Sequence, residues 1–187
     1  MPTDPIFDLT HEKKASTNGD IFPQLFSLLW FIIKNHTKTT AIVGSRRCDR
    51  LARQRTIEIA IDFTKQGIAI VSGMAKGVDA YAQTACLKAG GYTIAVLGNG
   101  LDICYPSEHR ILMENIAKQG LLISEYEPGI KPQKVYFPRR NRIIAAFSDE
   151  IIITSAGKGS GALITAQYGE KYHRKIWIIT NDRKSSV

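Results

Sequence analysis

Cysteine is scarce in this sequence, and its three copies, Cys48, Cys86 and Cys104, lie far apart. No two of them are separated by two residues, so the spacing typical of zinc knuckles and redox motifs is missing. Three widely spaced thiols also suggest no disulfide framework. The pattern fits a reducing compartment, and we expect a cytoplasmic protein.

Long apolar runs are missing as well. The one membrane candidate, IFPQLFSLLWFII at Ile21–Ile33, contains a proline and is shorter than the ~20 apolar residues that a spanning helix needs. It also lacks the basic leader and small-residue cleavage site of a secretory signal. We predict that it packs as a helix within a single domain of residues 21–187, that residues 1–20 form a flexible polar tail, and that no membrane is bound.

The motifs that commonly mark cofactors and catalytic centres are absent from the sequence. No G-x-G-x-x-G follows the first predicted strand, and AGKGSG (Ala156–Gly161) departs from a Walker A loop because glycine follows its lysine. No G-x-S-x-G elbow occurs, and the four histidines have no metal-ligand spacing. Asp79 and Asp102 are interpreted as carboxylates that fix loops through backbone N–H groups. We therefore predict no enzyme, no catalytic residue, no metal and no cofactor.

Positive charge, in contrast, is abundant. Lys and Arg number 25 against 17 acidic residues, which gives the 187-residue chain a net charge of +8 and a pI near 9.5. This balance favours a polyanionic partner, nucleic acid before an anionic membrane, but it does not determine the fold. The length suits one α/β domain with a well-buried core.

From Thr39 onward, short apolar segments alternate with amphipathic helical segments. The segments TTAIVG, IAIVSG and YTIAVLG are continuous apolar runs, and the first helical segment has Ala52, Ile59, Ala60 and Phe63 on one face. Apolar strands of this kind are buried on both faces of a mostly parallel sheet. We predict an α/β fold with an extended, Rossmann-like, doubly wound, mostly parallel sheet and helices on both faces.

Glycines and basic residues coincide at the ends of the predicted strands. Glycine permits a sharp turn and the close approach of a ligand, and the helix start that follows offers N–H groups to an anion. Ligands of doubly wound sheets bind beyond the carboxyl ends of the strands. We predict an anion-binding rim at these turns, and its basic residues are Arg46, Arg47, Lys76 and Lys158.

A second basic cluster lies in FPRRNRIIAAFS, Phe137–Ser148, where Arg139, Arg140 and Arg142 directly precede an apolar segment. We predict a loop through Pro138 and then a helix whose first residues present the arginines on the rim and whose later residues enter the core. Residues two apart do not share a helix face, so Arg140 and Arg142 are not expected to touch one phosphate together.

Six long motifs follow one another in the chain: AIVGSR (Ala41–Arg46), IVSGMAKGVDAYAQ (Ile70–Gln83), GGYTIAVLGNGLDICYP (Gly90–Pro106), LLISEYEPG (Leu121–Gly129), FPRRNRIIAAFS and GSGALITA (Gly159–Ala166). In order and spacing they resemble the DprA/Smf DNA-processing family, and the likeness covers residues 39–180. The resemblance implies an extended Rossmann fold that binds and protects single-stranded DNA and helps to load a RecA-type recombinase in natural transformation and recombination. It also implies a possible homodimer and no enzymatic activity.

The resemblance further implies a DNA-binding surface. Gly44, Ser45 and Arg46 match the family's glycine-serine-arginine turn at a basic pocket, and Phe137 or Tyr136 is expected to offer a ring on which a base stacks. Arginine forks suit phosphates. The predicted DNA-binding residues are Gly44, Ser45, Arg46, Arg47, Ser72, Gly73, Lys76, Gly77, Phe137, Arg139, Arg140, Asn141, Arg142, Lys158 and Ser160.

The chain also departs from the family pattern. Gln83 stands where the family usually has histidine, and we expect a version that is shortened at both ends. Two alternatives stay open. One is a sensor that binds a small nucleotide at the glycine-rich rim. The other is a LOG-type phosphoribohydrolase, for which Ile164 and Thr165 stand where a catalytic carboxylate is expected.

Overall fold

Strands and helices alternate along the part of the chain that the computed structural model describes, residues 38–157, 160–179 and 184–186. The strands are β1 (Thr39–Gly44), β2 (Ala69–Ser72), β3 (Thr93–Leu97), β4 (Leu121–Ser124), β5 (Glu150–Ser155), β6 (Lys175–Ile179) and β7 (Lys184–Ser186). The helices are α1 (Arg50–Lys65), α2 (Val78–Lys88), α3 (Arg110–Gln119), α4 (Tyr136–Ala146) and α5 (Gly161–Lys171), with a 3-10 turn at Ser107–His109 before α3.

The order of the strands in the sheet is β4-β3-β2-β1-β5-β6-β7. Neighbours from β4 to β6 pair in parallel, whereas β7 pairs antiparallel with β6. The chain moves outward from β1 to β4 and then crosses to the other side of β1, where β5 pairs with it and Thr40 lies opposite Glu150. The strand order thus reverses between β1 and β5, which is where doubly wound sheets bind their ligands. The predicted fold class is confirmed.

Helices cover both faces of this sheet. Within β1, Val43 belongs to the apolar core that packs under α4 and α5, whereas Ile42 belongs to the core under α1 and α2. On the second face, Ile116 of α3 packs against Ala95 of β3. Full burial of one such aliphatic side chain contributes about 1.5–3 kcal/mol, so both layers fix the ends of the central strands firmly.

Helix α4 begins earlier than we predicted. Its first turn contains Tyr136, Phe137 and Pro138, which we had placed in a loop. Proline is tolerated in this turn because the first N–H groups of a helix have no partner inside it. The ring of Phe137 is therefore carried by a helix start.

Gln83, the departure from the family pattern, is a fully buried structural residue. Its Oε1 accepts a hydrogen bond from the Met74 backbone N–H at 3.1 Å, and its Nε2 donates to Thr93 Oγ1 and to the Ile94 carbonyl at 3.3 and 3.2 Å. A buried amide without partners would cost about 1–3 kcal/mol. Gln83 thus ties α2 to the loop after β2 and to β3.

Two predictions fall outside the described residues: the tail of residues 1–20 and the packing of the apolar segment Ile21–Ile33. The division of the chain into this tail and one domain stays a prediction. Within the described ranges, no helix combines the length and the apolar character that crossing a bilayer requires.

Candidate nucleic-acid interface

A cavity of about 630 Å³ opens at the point where the strand order reverses. We call it the switch-point pocket. Its walls come from the turn after β1, from α4 and from the first turns of α5, with Arg46, Phe137, Asn141 and Ser160 among the lining residues. Of the four basic residues predicted for the rim, Arg46 is among the described residues that line this cavity.

The turn after β1 is held in place by its own backbone and by two glycines. The Ser45 N–H donates to the Ser155 carbonyl at 2.7 Å, which joins the ends of β1 and β5. A Cβ on Gly44 would approach Val78 Cγ2 to 2.6 Å, and a Cβ on Gly77, whose φ is +77°, would overlap the Ser45 carbonyl. Both positions thus require glycine, and these two residues shape the turn that presents Arg46.

Arg46 stands over an aromatic surface. Its guanidinium carbon lies 5.4 Å from the centre of the Phe137 ring, and that ring stacks on Tyr105 at 5.4 Å with an interplanar angle of 30°. Arg46 is exposed, and so is 43% of Tyr105. Tyr136, the alternative to Phe137 in our prediction, instead stacks on Tyr126 at 4.2 Å. The aromatic surface beside Arg46 is therefore formed by the half-buried Phe137 and the exposed Tyr105.

Arg140 does not lie on an exposed rim as we predicted, and is only 3% exposed. Its Nη1 donates to the carbonyls of Gly73 (2.7 Å) and Val96, and its Nε donates to Asn141 Oδ1 at 3.1 Å. Burial lowers the pKa of Arg140 to about 10, the Asp79 carboxylate opposes this shift, and the Arg46 cation adds to it. The guanidinium braces the ends of β2 and β3 and forms part of the pocket floor.

Asp79 fixes the loop beside this arginine, as we predicted from its position. Its Oδ2 accepts hydrogen bonds from the N–H groups of Gly73 and Ala75 at 3.1 and 3.4 Å. Burial raises the pKa of the Asp79 carboxyl, and the Arg140 charge and these two N–H groups counteract the shift. Asp102 acts in a similar way, because its carboxylate accepts from the Gly129 N–H at 2.8 Å.

The other two arginines of α4 converge on an acid rather than on the pocket. Arg142 Nη2 lies 2.6 Å and Arg139 Nε 3.6 Å from Glu125 Oε2, and neither arginine lines the cavity. Our expectation that they gather with Arg46 at the pocket is not what the structure shows. The different directions of Arg140 and Arg142 agree with the two-residue spacing.

The loop after β2 supports the site from below. Ser72 is fully buried, and its hydroxyl donates to the Ile42 carbonyl at 2.7 Å. Gly73 is packed so tightly against the Arg140 guanidinium that a Cβ would overlap it. Lys76 is exposed and forms an ion pair with Glu108 at 2.6 Å. Ser72 and Gly73 thus act through packing, while Lys76 lies at the surface beside the Arg46–Phe137 contact.

Asn141 and Ser160 connect the remaining walls of the pocket. Asn141 Nδ2 donates to the Gly161 carbonyl at 3.0 Å, which joins α4 to the start of α5. Ser160 caps α5, because its Oγ accepts from the Ala162 N–H at 3.3 Å. Arg47 is exposed at the turn after β1, and its N–H donates to Ser45 Oγ at 3.1 Å. Lys158 lies outside the described residues.

Comparison with known proteins agrees with this geometry. A family model described as DNA recombination-mediator protein A matches residues 27–187. The chain belongs to the DprA/Smf family. It is 46% identical to Protein Smf of Synechocystis over 140 residues. This aligned region covers 75% of this chain and 35% of that protein. It is 42% identical to the DNA processing protein DprA of Streptococcus pneumoniae over 139 residues. This aligned region covers 74% of this chain and 49% of that protein.

Solved structures show the same relationship. The DprA structure from S. pneumoniae superposes with a TM-score of 0.73 at 38% identity, over 81% of this chain and 52% of that one. A Helicobacter pylori DprA structure, described in terms of its single-stranded DNA binding mode, gives 0.74 at 36% identity over 83% and 71%. A molybdenum cofactor binding protein from Rippkaea orientalis, at 15% identity and a TM-score of 0.60, shares the fold alone. The chain spans about a third to a half of the curated relatives it matches.

Among the pocket residues of this DprA/Smf protein that sequence reasoning did not assign to the site, Tyr105, Lys134 and Thr165 have side chains that can bind a base or a phosphate. Tyr105 follows the glycines at the end of β3, and its place beside a strand-end turn was a usable signal. Thr165 lies four residues after Gly161 on one face of α5, where a side chain points back toward the helix start. Lys134 lies in an irregular loop and carries no such signal. Within the described ranges, no three His, Cys, Asp or Glu side chains gather as a metal site.

Proposed function

We propose that this DprA/Smf protein binds single-stranded DNA at the switch-point pocket and its rim. The observation that carries the proposal is the exposed Arg46 guanidinium over the Phe137–Tyr105 stack at the mouth of the cavity. The H. pylori relative, described by its single-stranded DNA binding mode, and the net charge of +8 support it.

The chemistry of the rim suits a flexible single strand. Unpaired bases stack on aromatic rings whatever their sequence, which contributes about 1–3 kcal/mol per base. An arginine fork binds phosphate oxygens in pairs, and Arg46 has its cation beside the rings where a stacked nucleotide would place its phosphate. In a duplex the bases are stacked on each other, so the Phe137–Tyr105 surface has little to bind. We therefore expect binding that tolerates sequence and prefers single strands.

The arginines of α4 take different parts in this proposal. Arg140 and Asn141 position the pocket floor and α5 through their hydrogen bonds. Arg139 and Arg142 share the Glu125 carboxylate, which offsets part of their positive charge. We propose that they contribute to DNA binding through the general field and less than Arg46 does.

The test is fluorescence anisotropy of labelled single- and double-stranded oligonucleotides at several salt concentrations. We expect tighter binding of the single strand and an affinity that falls steeply with salt, since phosphate contacts release counterions. Arg46→Ala should weaken binding about tenfold, the effect of losing roughly one charge-assisted hydrogen bond. Lys88→Ala is the matched control, because Lys88 is exposed in the last turn of α2, at the opposite edge of the sheet. Equal losses for the two variants would place DNA binding elsewhere.

Delivery of the strand to a RecA-type recombinase, a role in natural transformation and assembly as a homodimer are proposed on the resemblance to the family. The fold that the described residues share with the solved DprA structures supports them, while this chain spans only part of its relatives. A strand-exchange assay with recombinase and a single-strand-binding competitor tests the first point. Acceleration of exchange by the wild type, and its loss in Arg46→Ala, is the expected result.

We propose that the pocket binds rather than hydrolyses. Among the described residues that line it, Asp79 is the only carboxylate, and both backbone N–H groups and the Arg140 charge already occupy it. Incubation with adenosine monophosphate should therefore release no free adenine. Release that scales with protein concentration and disappears in Asp79→Asn would contradict this part of the proposal.

A further inference from the structure

Thr165 is a buried polar residue that the described fold does not use. It is 1% exposed, lines the switch-point pocket, and has an Oγ1 without a hydrogen-bond partner among the described residues. A buried hydroxyl that lacks a partner is costly, because it has given up its hydrogen bonds to water. The oxygen itself is buried, so the side chain must rotate toward the cavity to reach a ligand that supplies the missing partner.

The helix that carries Thr165 gives that ligand a charge. The side chain of a helical residue points toward the helix N-terminus, so Thr165 lies over the first turn of α5, which Ser160 caps. This end of the eleven-residue helix favours an anion because the positive end of the helix dipole lies there, although Ser160 already accepts the Ala162 and Leu163 N–H groups. A Cβ on Gly161 would meet only Asn141 Nδ2 at 3.9 Å, and one on Gly157 would meet no atom within 4 Å. Among the described residues, none therefore crowds these two glycines beside the start of α5.

The shape of the pocket limits how the anion arrives. The floor includes Thr165 and Arg140, which are 1% and 3% exposed, whereas the mouth includes Arg46 and Tyr105, which are exposed. A phosphodiester inside a continuous strand needs a path for the chain on both sides of it. A terminal phosphate needs only one entrance, so it can reach the floor.

The opposite wall completes a site for one nucleotide. Phe137 and Tyr105 provide stacked rings, and the cavity of about 630 Å³ falls within the 300–1,000 Å³ typical of small-ligand pockets. Lys134 adds a positive charge to the lining. Aromatic rings at the mouth and an anion position at the floor match the base and the phosphate of a single nucleotide.

We propose that the switch-point pocket binds a nucleotide that bears a terminal phosphate, with the phosphate at the first turn of α5 and hydrogen-bonded by the Thr165 hydroxyl. This inference rests on the proposed DNA-binding function and specifies the ligand group at the pocket floor. Two sources share the chemistry: a free nucleoside monophosphate and the 5′-phosphorylated end of a strand. With either ligand, the pocket floor binds a terminal phosphate. A strand bound only across the rim would not contact the floor.

The experiment measures four ligands with the full chain. Calorimetry compares deoxyadenosine monophosphate with deoxyadenosine, and anisotropy compares a 5′-phosphorylated oligonucleotide with the same oligonucleotide ending in a hydroxyl. We expect the phosphorylated member of at least one pair to bind about tenfold or more tightly, as loss of a hydrogen bond to a charged group implies. Preference within the first pair identifies the free nucleotide as a ligand, and preference within the second identifies the strand end.

Two threonine variants separate binding from folding. Thr165→Val is expected to abolish most of the phosphate preference, with a melting temperature equal to or above that of the wild type, because it removes a hydroxyl that has no protein partner. Thr154→Val is the control: Thr154 Oγ1 hydrogen-bonds Thr56 Oγ1 at 2.7 Å under α1, so this variant should lose stability and keep the preference.

The outcomes that overturn the inference are distinct from those that overturn DNA binding. If the hydroxyl-ended oligonucleotide binds as tightly as the phosphorylated one and the monophosphate does not bind better than the nucleoside, the inference is wrong and the proposed function stands. An unchanged phosphate preference in Thr165→Val also overturns it. If no oligonucleotide binds, the proposed DNA-binding function is wrong. The calorimetry pair alone then decides whether the pocket binds a nucleoside monophosphate.

Discussion

Two arginines at the same pocket have opposite environments. Arg46 lies in an exposed turn over the Phe137 ring, whereas Arg140 lies beneath the floor, 3% exposed and bonded to the carbonyls of Gly73 and Val96. The first has its guanidinium available for phosphate, and the second uses its donors to hold the ends of β2 and β3. The comparison teaches that basic residues predicted for one site can be exposed cations or internal braces, and that burial distinguishes them.

The largest effect should come from removing the internal brace. Arg140→Ala leaves the carbonyls of Gly73 and Val96 without their donor and the buried Asp79 without the nearby positive charge, and removing one member of a buried set of charges typically costs about 3–5 kcal/mol. Urea denaturation followed by circular dichroism measures the loss. Arg139→Ala, next along the helix but half exposed, should change the free energy of unfolding by less than about 1 kcal/mol. A similar decrease in the free energy of unfolding for both variants would contradict the assignment of Arg140 as an internal brace and of Arg139 as a surface residue.

A smaller effect is expected at the glycine that supports the exposed turn. Gly77 has φ +77°, and a Cβ there would overlap the Ser45 carbonyl, so Gly77→Ala combines backbone strain with a clash and should cost about 3 kcal/mol. Gly67→Ala is matched to it, because Gly67 has φ +73° but no atom within 4 Å of the added Cβ. That control should cost about 1 kcal/mol. Thermal unfolding of the two variants side by side checks the difference.

Gly77→Ala should also weaken binding of single strands, because it displaces the turn that carries Arg46. Gly67→Ala should leave affinity unchanged. If both variants retain full affinity while Gly77→Ala is destabilised, the position of the turn after β1 does not matter for DNA.

The last effect is a pH dependence at Asp79, whose carboxyl lies near the buried arginine. Burial raises the pKa of Asp79 above its ordinary value of 3.8, so from that pH upward the folded protein retains a proton that the unfolded chain releases. The free energy of unfolding should therefore decrease as the pH rises from 3.8 to the raised pKa. Asp79→Asn should lack this contribution, and urea titrations of both proteins from pH 4 to pH 7 measure the difference. A wild type that gains stability relative to the variant over this range would show that the pKa is lowered instead.

Much of the fold follows from local patterns. Continuous apolar runs that end in glycine indicated β1, β2 and β3, and the switch point between β1 and β5 follows once those strands are parallel. The same patterns placed Gly44 and Arg46 at the carboxyl end of a strand, whereas their assignment to a basic pocket came from the resemblance to the DprA/Smf family.

The direction of the α4 arginines was predicted less well, although the sequence contained the signal. Arg140 precedes Ile143, Ile144 and Phe147 by three, four and seven residues, which is the spacing of one helix face, and those three side chains enter the core. Its burial therefore follows from helical periodicity. Pairing of Arg142 with Glu125, which is 17 residues earlier in the chain, depends on tertiary structure and has no local signal.

The most direct measurement is photocrosslinking of a single-stranded oligonucleotide that carries 5-iodouracil, followed by mass spectrometry of the linked peptides. The account predicts linkage at Phe137 or Tyr105, the rings beneath and beside Arg46, and a clear loss of linkage in Arg46→Ala. Linkage confined to peptides from the opposite edge of the sheet, such as the end of α2 at Lys88, would contradict it.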